Sequence, residues 1–325
     1  AGETDGKPAL ASASLSGHTD AVWQVKWVDK GGDRGERLVT ISTDGRVAEW
    51  SMKKGLTCND LMVLKRVRNP LAAPEEKGDG VISRVAAGLC FDFPATDTTT
   101  YFAGTEDGVI NKCSVSYWEQ YLDSVCAHAA PVNRVRCSPY VPDVCLSCSA
   151  DWTVKLWDFA TAVQKPPTTY ATPEVTDAVS DVVWSPQNAT LFASVTCDGR
   201  LQVWDVSSLS PVVNTVVTYS KEECQALARQ PDSRTGSAAA ASADGGAGGD
   251  GEDDAASRKK KLRLPSPGDK KCLSTVSFAH NAPVLVTGDS VGKVDVYRIV
   301  GIEETAKSLD EQVAKLQKAV SSLEM

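Results

Sequence analysis

The chain has 325 residues, 42% of them apolar, and a formal net charge of −8. That length supports one large domain with a sizeable core, and the acidic balance disfavours a generic nucleic-acid binder. No apolar run approaches the roughly 20 residues of a membrane helix, no signal-peptide pattern is present, and the ten cysteines read as reduced packing residues.

In chain order, the apolar strand "AVWQVKW" (21–27) is followed by "TISTDGRVAEW" (40–50), which sets Thr40, Asp44 and Trp50 at offsets of four and six. The frame returns in "SCSADWTVKLWD" (147–158), with Ser147, Asp151 and Trp157, and in "SVTCDGRLQVWD" (194–205), with Ser194, Asp198 and Trp204. Weaker copies are "AGTEDGVINKC" (103–113), where Cys113 takes the aromatic place, and "TGDSVGKVDVY" (287–297), which ends on Tyr297. Each copy has its own preceding strand: "GLCFDF" (88–93), "PVNRVRC" (131–137), "AVSDVVW" (178–184) and "CLSTVSF" (272–278). The turn aspartates at 107, 151 and 198 lie 44 and 47 residues apart. A repeat of roughly 40–45 residues ending in Trp-Asp is the period of a β-propeller blade.

The expected fold is therefore an all-β propeller of at least five four-stranded blades over residues 1–300, with Trp50, Trp157 and Trp204 on third strands. Asp-Gly at 44–45, 107–108 and 198–199 marks tight hairpins, because Gly tolerates positive φ. Trp152 replaces that Gly in the third unit, and a different turn geometry is expected there. The chain opens on Ala1, and "ALASASLSGHTD" (9–20) reads as an outermost strand leading into the next unit. One or two further blades of a larger closed propeller are accordingly expected in a parent chain, since an open propeller exposes strand edges.

His18 stands nine residues before Trp27, and His128 nine before Cys137. This spacing predicts two buried networks, His18–Thr40–Asp44–Trp50 and His128–Ser147–Asp151–Trp157. In each, the indole donates to the hydroxyl, the hydroxyl to the imidazole and the imidazole to the aspartate, so every polar group is satisfied. Val175 takes the histidine place in the fourth unit, breaking its network. A catalytic-triad reading fails because the set recurs, ends on Trp and lacks a nucleophile motif. Cys145 and Cys148 form a Cys-x-x-Cys pair, but an offset of three on a strand sends them to opposite faces, so they cannot share a metal. Of the three histidines, His280 sits in a short turn. No catalytic, metal or cofactor set emerges, and none is expected.

Residues 66–87 read as a polar loop. The insertion at about 229–270 is too poor in large apolar residues to fold. Its acidic block precedes a basic run, Arg258, Lys259, Lys260 and Lys261, which reads either as a solvated, self-neutralising loop or as a contact for an acidic surface such as a tubulin tail. Over 303–325 a helix is expected, with Leu309, Val313, Leu316, Val320 and Leu323 at heptad spacing. That seam suits packing on the chain's own propeller or docking on a partner's helices.

Beyond the general likeness to WD40 proteins, "GHTDAVWQVKW", "GTEDGVINKCSVSYWEQYLDSVCAH", "SCSADWTVKLWD" and "VSDVVWSPQNATLFASVTCDGRLQVWD" resemble axonemal dynein intermediate chains, notably the outer-arm intermediate chain 1 type, over most of residues 17–300. The resemblance implies a non-catalytic subunit of the ciliary or flagellar outer arm, in the cytoplasm and the axonemal cytoskeleton. Its propeller would dock on the heavy-chain tail beside a second intermediate chain, supporting motor assembly and attachment to the microtubule. The family's light-chain-binding N-terminal region lies outside the matched residues. No nucleic-acid or membrane partner is implied. The alternative is a WD40 adaptor such as a ubiquitin-ligase substrate receptor, which "WDFA" and "WDVS" disfavour by lacking the Trp-Asp-x-Arg ending.

Overall fold

Period-two alternation places one apolar face of each strand against a neighbouring sheet, and here every repeat folds back on itself as an antiparallel meander. The computed structural model describes residues 17–30, 35–51, 56–67, 84–95, 97–160, 166–229, 266–301 and 308–323. The first blade is β1 (Val22–Asp29), β2 (Glu36–Ser42), β3 (Arg46–Ser51) and β4 (Thr57–Val63). The second is β5 (Gly88–Asp92), β6 (Thr100–Thr105), β7 (Val109–Ser114) and β8 (Asp123–Cys126). The third is β9 (Val132–Cys137), β10 (Val144–Ser149), β11 (Val154–Asp158) and β12 (Thr168–Tyr170). The fourth is β13 (Val179–Trp184), β14 (Leu191–Thr196), β15 (Arg200–Asp205) and β16 (Pro211–Val216), followed by α1 (Lys221–Arg229). The fifth is β17 (Leu273–Phe278), β18 (Val284–Asp289) and β19 (Val294–Arg298), and α2 (Leu309–Ser322) comes last.

Trp50, Trp157 and Trp204 fall on third strands, β3, β11 and β15. The fifth blade differs from expectation, having three strands among the described residues instead of four. After Arg298 the sequence gives no alternating run; Gly301 takes a φ of 86° and the chain proceeds to α2.

First strands contact one another in sequence, β1 with β5, β5 with β9, β9 with β13 and β13 with β17. The core is accordingly a series of seams between consecutive blades. Val39, Ile41 and Val47 of the first blade meet Phe91 and Phe93 of the second. Phe102 and Ile110 meet Val132 and Val135, Leu146 and Leu156 meet Val182 and Trp184, and Val195 and Val203 meet Leu273 and Val276. Cys145 and Cys148 lie in two different seams, on opposite faces of β10.

The turn at Trp152 departs from the sequence expectation. Gly45, Gly108 and Gly199 hold φ of 77°, 78° and 85°, and Trp152 holds 71°. The third turn keeps the left-handed geometry and imposes it on a tryptophan. At Gly108 the small residue is also required by space, because a Cβ would sit 2.2 Å from the carbonyl oxygen of His128.

Candidate functional site

The side chains singled out by the repeat frame converge at the tight turns between second and third strands. In the third blade His128 Nδ1 lies 2.8 Å from Asp151 Oδ2 and Nε2 lies 2.7 Å from Ser147 Oγ. Trp157 donates its indole N–H to the same hydroxyl at 2.8 Å. The pattern selects one tautomer, with the proton on Nδ1 and Nε2 accepting from Ser147. In the first blade His18 Nε2 lies 2.6 Å from Thr40 Oγ1, Nδ1 lies 3.1 Å from Asp44 Oδ2, and Trp50 donates to Thr40 at 2.7 Å.

The geometry ties the second and third strands of one sheet, and the turn between them, to the segment entering it. Asp151 also accepts from Thr153 N–H and O–H at 3.1 and 2.7 Å, closing its own turn. Burial works to raise the Asp151 pKa, but the His128 and Thr153 donors prevail and bring it to about 2. Burial lowers the His128 pKa against the pull of Asp151. The imidazole is thus neutral at pH 7, and its link to Asp151 there is a hydrogen bond rather than an ion pair. Ser147 is fully buried, and the indole occupies one of its acceptor sites. Such a hydroxyl has no path to a substrate carbonyl, so the set holds structure and does no acyl chemistry.

The other blades anchor their turns differently. In the fourth, Val175 is buried in the histidine place and Trp204 still donates to Ser194 at 3.0 Å. Asp198, expected to stand in a broken network, instead accepts from Thr176 Oγ1 at 3.2 Å, Arg200 Nε at 3.2 Å and the Thr196 hydroxyl. In the second blade Arg66 pairs with Asp107 and, at 2.8 Å, with Glu106. Arg66 belongs to the stretch read from sequence as a polar loop, and its long separation from Asp107 hid the pairing. A charged partner replaces imidazole in both cases.

The seams carry a polar counterpart to their apolar packing. The Gln24 amide bonds Phe91 through both its backbone N–H (3.2 Å) and C=O (2.9 Å). Asp92 accepts from Cys137 N at 2.8 Å, Asn133 donates to Val179 O at 2.7 Å, and Asp181 accepts from Val276 N at 3.2 Å. Each first strand therefore reaches forward to the backbone of the next.

The 229–270 insertion leaves from a fixed base. Tyr219 N–H donates to Asp269 O and Lys271 N–H to Val217 O, both at 2.9 Å. Lys271 is buried, with its ammonium 2.9 Å from Glu223 and 2.5 Å from Asp295. This node joins α1 to β19. The helix α1 was not foreseen, although Ser220 and Glu223 form a capping box, Ser220 N–H donating to Oε2 at 2.7 Å and Glu223 N–H to Oγ at 3.2 Å. The candidate basic run, Arg258 to Lys261, lies outside the described residues.

The heptad-spaced residues lie on the chain's own blades. Leu316 is fully buried in the seam of the third and fourth blades, with Val320 and Leu323 packed at its margin. Gln312 Oε1 accepts from Ala189 N at 3.0 Å, and Lys315 donates to Asn188 at 3.0 Å. Val313 is half-buried and Leu309 is exposed. Sequence spacing left two packings open, and the structure adopts the one in cis.

Exposed aromatic surface appears where sequence reasoning assigned no site. Tyr117, Trp118 and Leu122 project from the connection between β7 and β8, with Trp118 63% exposed. Beneath them Tyr121 accepts from Lys65 N and donates to Lys65 O at 2.5 and 2.9 Å, fixing the loop to the first blade. The available signal was the aromatic cluster "YWEQY" within a turn. Among the described residues no group of three or more His, Cys, Asp or Glu side chains could hold a metal ion, and no helix is long and apolar enough to cross a membrane.

The WD domain, G-beta repeat family matches residues 119–158 and 165–205. The rat dynein axonemal intermediate chain 4 is 44% identical over 239 residues, which cover 68% of this chain and 28% of that protein. The ciliary dynein intermediate chain 2 of the sea urchin Heliocidaris crassispina is 36% identical over 223 residues, 67% of this chain and 31% of that one. The mouse dynein axonemal intermediate chain 1 is 40% identical over 154 residues, 47% of this chain and 22% of that one. The intermediate chain 1 type is thus one of several that the sequence matches. The chain spans about a quarter to a third of the length of these relatives. The crystal structure of the WD40 β-propeller domain of Doa1 superposes with a TM-score of 0.53 at 13% identity, over 89% of this chain and 69% of that one, a likeness of fold alone.

Proposed function

We propose that this chain, a homologue of the axonemal dynein intermediate chains through its WD40 repeats, is a non-catalytic scaffold of a ciliary dynein. Its propeller docks on the heavy-chain tail of an outer arm, beside a second intermediate chain, and helps hold the motor on the axonemal microtubule. The observation that carries this reading is the 44% identity to an axonemal intermediate chain over 239 residues, 68% of this chain. The buried histidine networks support it, because they spend their polar groups on holding blades and leave the surface to act. The loop bearing Tyr117 and Trp118 is a suitable contact, since exposed Trp and Tyr on a fixed loop supply large area at low entropy cost and dominate interface energetics.

Affinity purification of the tagged protein from ciliated cells tests the reading. Dynein heavy chains should co-purify, and Trp118→Ala should lower their recovery while leaving the melting temperature unchanged. Recovery of no heavy chain above an untagged control would exclude the scaffold role. Full recovery with Trp118→Ala would remove the loop from the contact and leave the rest of the propeller rim.

A further inference from the structure

The tight turn of the fourth blade lies against the segment that enters the fifth. Asp198 Oδ2 is 3.8 Å from the Lys270 ammonium, and a Cβ on Gly199 would sit 2.7 Å from the carbonyl oxygen of Lys271. Cys197, from the same turn, meets Cys272, from the same segment, and the two side chains share a hydrogen bond. Backbone contacts hold each in place. Cys197 N–H donates to Ala178 O at 2.9 Å, and Ser290 N–H donates to Cys272 O at 2.9 Å. The Cys197 sulfur also lies 3.1 Å from Ser180 Oγ. Both thiols are only partly buried, so a small solute reaches them. Cys137 and Cys145 stand close as well, with sulfurs 3.3 Å apart, but Cys145 is fully buried and Cys137 nearly so. Proximity and access coincide at Cys197 and Cys272.

We propose that Cys197 and Cys272 form a redox modification site, which takes low-molecular-weight disulfides and closes as a reversible cross-link between the fourth and fifth blades. The chemistry is two successive thiol–disulfide exchanges. Burial, and then the neighbouring Cys197, push the Cys272 thiol up to about 11. Cys272 therefore stays protonated at pH 7, and Cys197 makes the first attack. Its thiolate attacks one sulfur of a disulfide RSSR, forming a mixed disulfide and releasing one RS⁻, which takes up a proton from water. Cys272, already in contact, then gives its proton to water and attacks the Cys197 sulfur, displacing the second RS⁻. In the sum, two protein thiols lose two electrons and two protons, and one RSSR becomes two RSH. The new bond encloses β15, β16, α1 and the 229–270 insertion in one loop. Cross-linking so long a loop removes much entropy from the unfolded chain. Oxidation thus fastens the base of the insertion and the entry to the fifth blade onto the fourth blade, and reduction returns them to their noncovalent contacts.

Glutathione buffers of graded oxidised-to-reduced ratio, applied to the whole 325-residue chain, test the proposal. Peptide mass mapping should show a Cys197–Cys272 link whose yield rises with that ratio and which dithiothreitol removes. The melting temperature should rise by about 5 °C on oxidation, as a disulfide across a long loop supplies. Cys272→Ser should form no link, show no rise and retain glutathione on Cys197, which identifies Cys197 as the thiol that attacks first. Cys197→Ser should form no link and take up little glutathione on Cys272. Serine is close to cysteine in size and both positions are partly exposed, so circular dichroism of the reduced variants should match the parent. Free thiols at both positions in fully oxidised buffer would overturn the proposal. Glutathione on each without a link between them, or a link between Cys137 and Cys145 in its place, would overturn it equally.

Discussion

Trp152 holds a backbone φ of 71°, the left-handed turn conformation that Gly199 holds at 85° one blade later. A side chain with a Cβ costs about 1–2 kcal/mol in that region, and the half-exposed indole is retained against that cost. Trp152→Ala should lose the indole contacts and keep the strain. Trp152→Gly should lose the same contacts and relieve it. The Gly variant should therefore be the more stable of the two by about 0.5–1 kcal/mol, after the larger unfolded-state entropy of Gly is included. Urea unfolding of both variants measures the difference, and an Ala variant at least as stable would remove the strain argument.

Asp151 and Asp198 occupy the same turn position with different partners, an imidazole in one blade and a guanidinium in the next. Val175 stands where the histidine would, which alone would make loss of Asp198 the milder change. The structure gives Asp198 Thr176, Thr196 and Arg200 instead. Asp151→Ala and Asp198→Ala should then cost comparable amounts, about 1–3 kcal/mol each. Combining Asp198→Ala with Arg200→Ala should cost less than the sum of the single changes by about 0.5 kcal/mol or more. Strict additivity in that double-mutant cycle would show that the guanidinium does not stand in for the imidazole.

How far the sequence could be read follows from the range over which each feature is determined. Turn aspartates, third-strand tryptophans and the apolar first strands were legible because the hairpin and the period-two pattern are local. The histidine networks were legible because repetition supplied a register across about twenty residues. Arg66, which reaches Asp107 from the connection between the first two blades, and Lys271, which joins α1 to β19, were not legible. Nothing in local spacing selects which of 34 lysines and arginines will face a given carboxylate. Trp152 shows the opposite failure: the ladder on both sides fixed the turn, and the residue yielded.

Acid should weaken the fold through His128. Burial lowers its pKa in the folded protein, against an ordinary value of about 6.5 in the unfolded chain. Between the folded and unfolded values the unfolded chain binds more protons, so stability rises with pH there. The contribution is fully present above about 6.5 and is lost as pH falls toward the folded value. Asp151, drawn down to about 2, adds a second loss at lower pH, between its ordinary carboxylate range and that value. Unfolding free energies measured at pH 7.5, 6.5 and 5.5 should decline for the parent. His128→Gln should be less stable at pH 7.5 but should decline less over the same range. Parallel declines would assign the effect to other groups.

Leu316 ties α2 to the third and fourth blades, lying fully buried beside Trp184 and Val206 in one cluster. Leu316→Asp would place a carboxylate in that cluster, a change the docked helix cannot accommodate without a partner for the charge. Two outcomes are open to the molecule: to remain docked and unfold more readily, or to release α2. Release bounds the loss at the docking free energy of the helix. Amides of Leu309–Ser322 should therefore exchange rapidly in the variant, while those of β10, β11, β14 and β15 remain protected. Heavy-chain recovery in affinity purification should be unchanged, because the face that Leu316 occupies is already covered by the chain itself. A lower recovery with unchanged exchange and melting temperature would mean that this leucine meets the partner, and that the helix leaves its own blades on assembly.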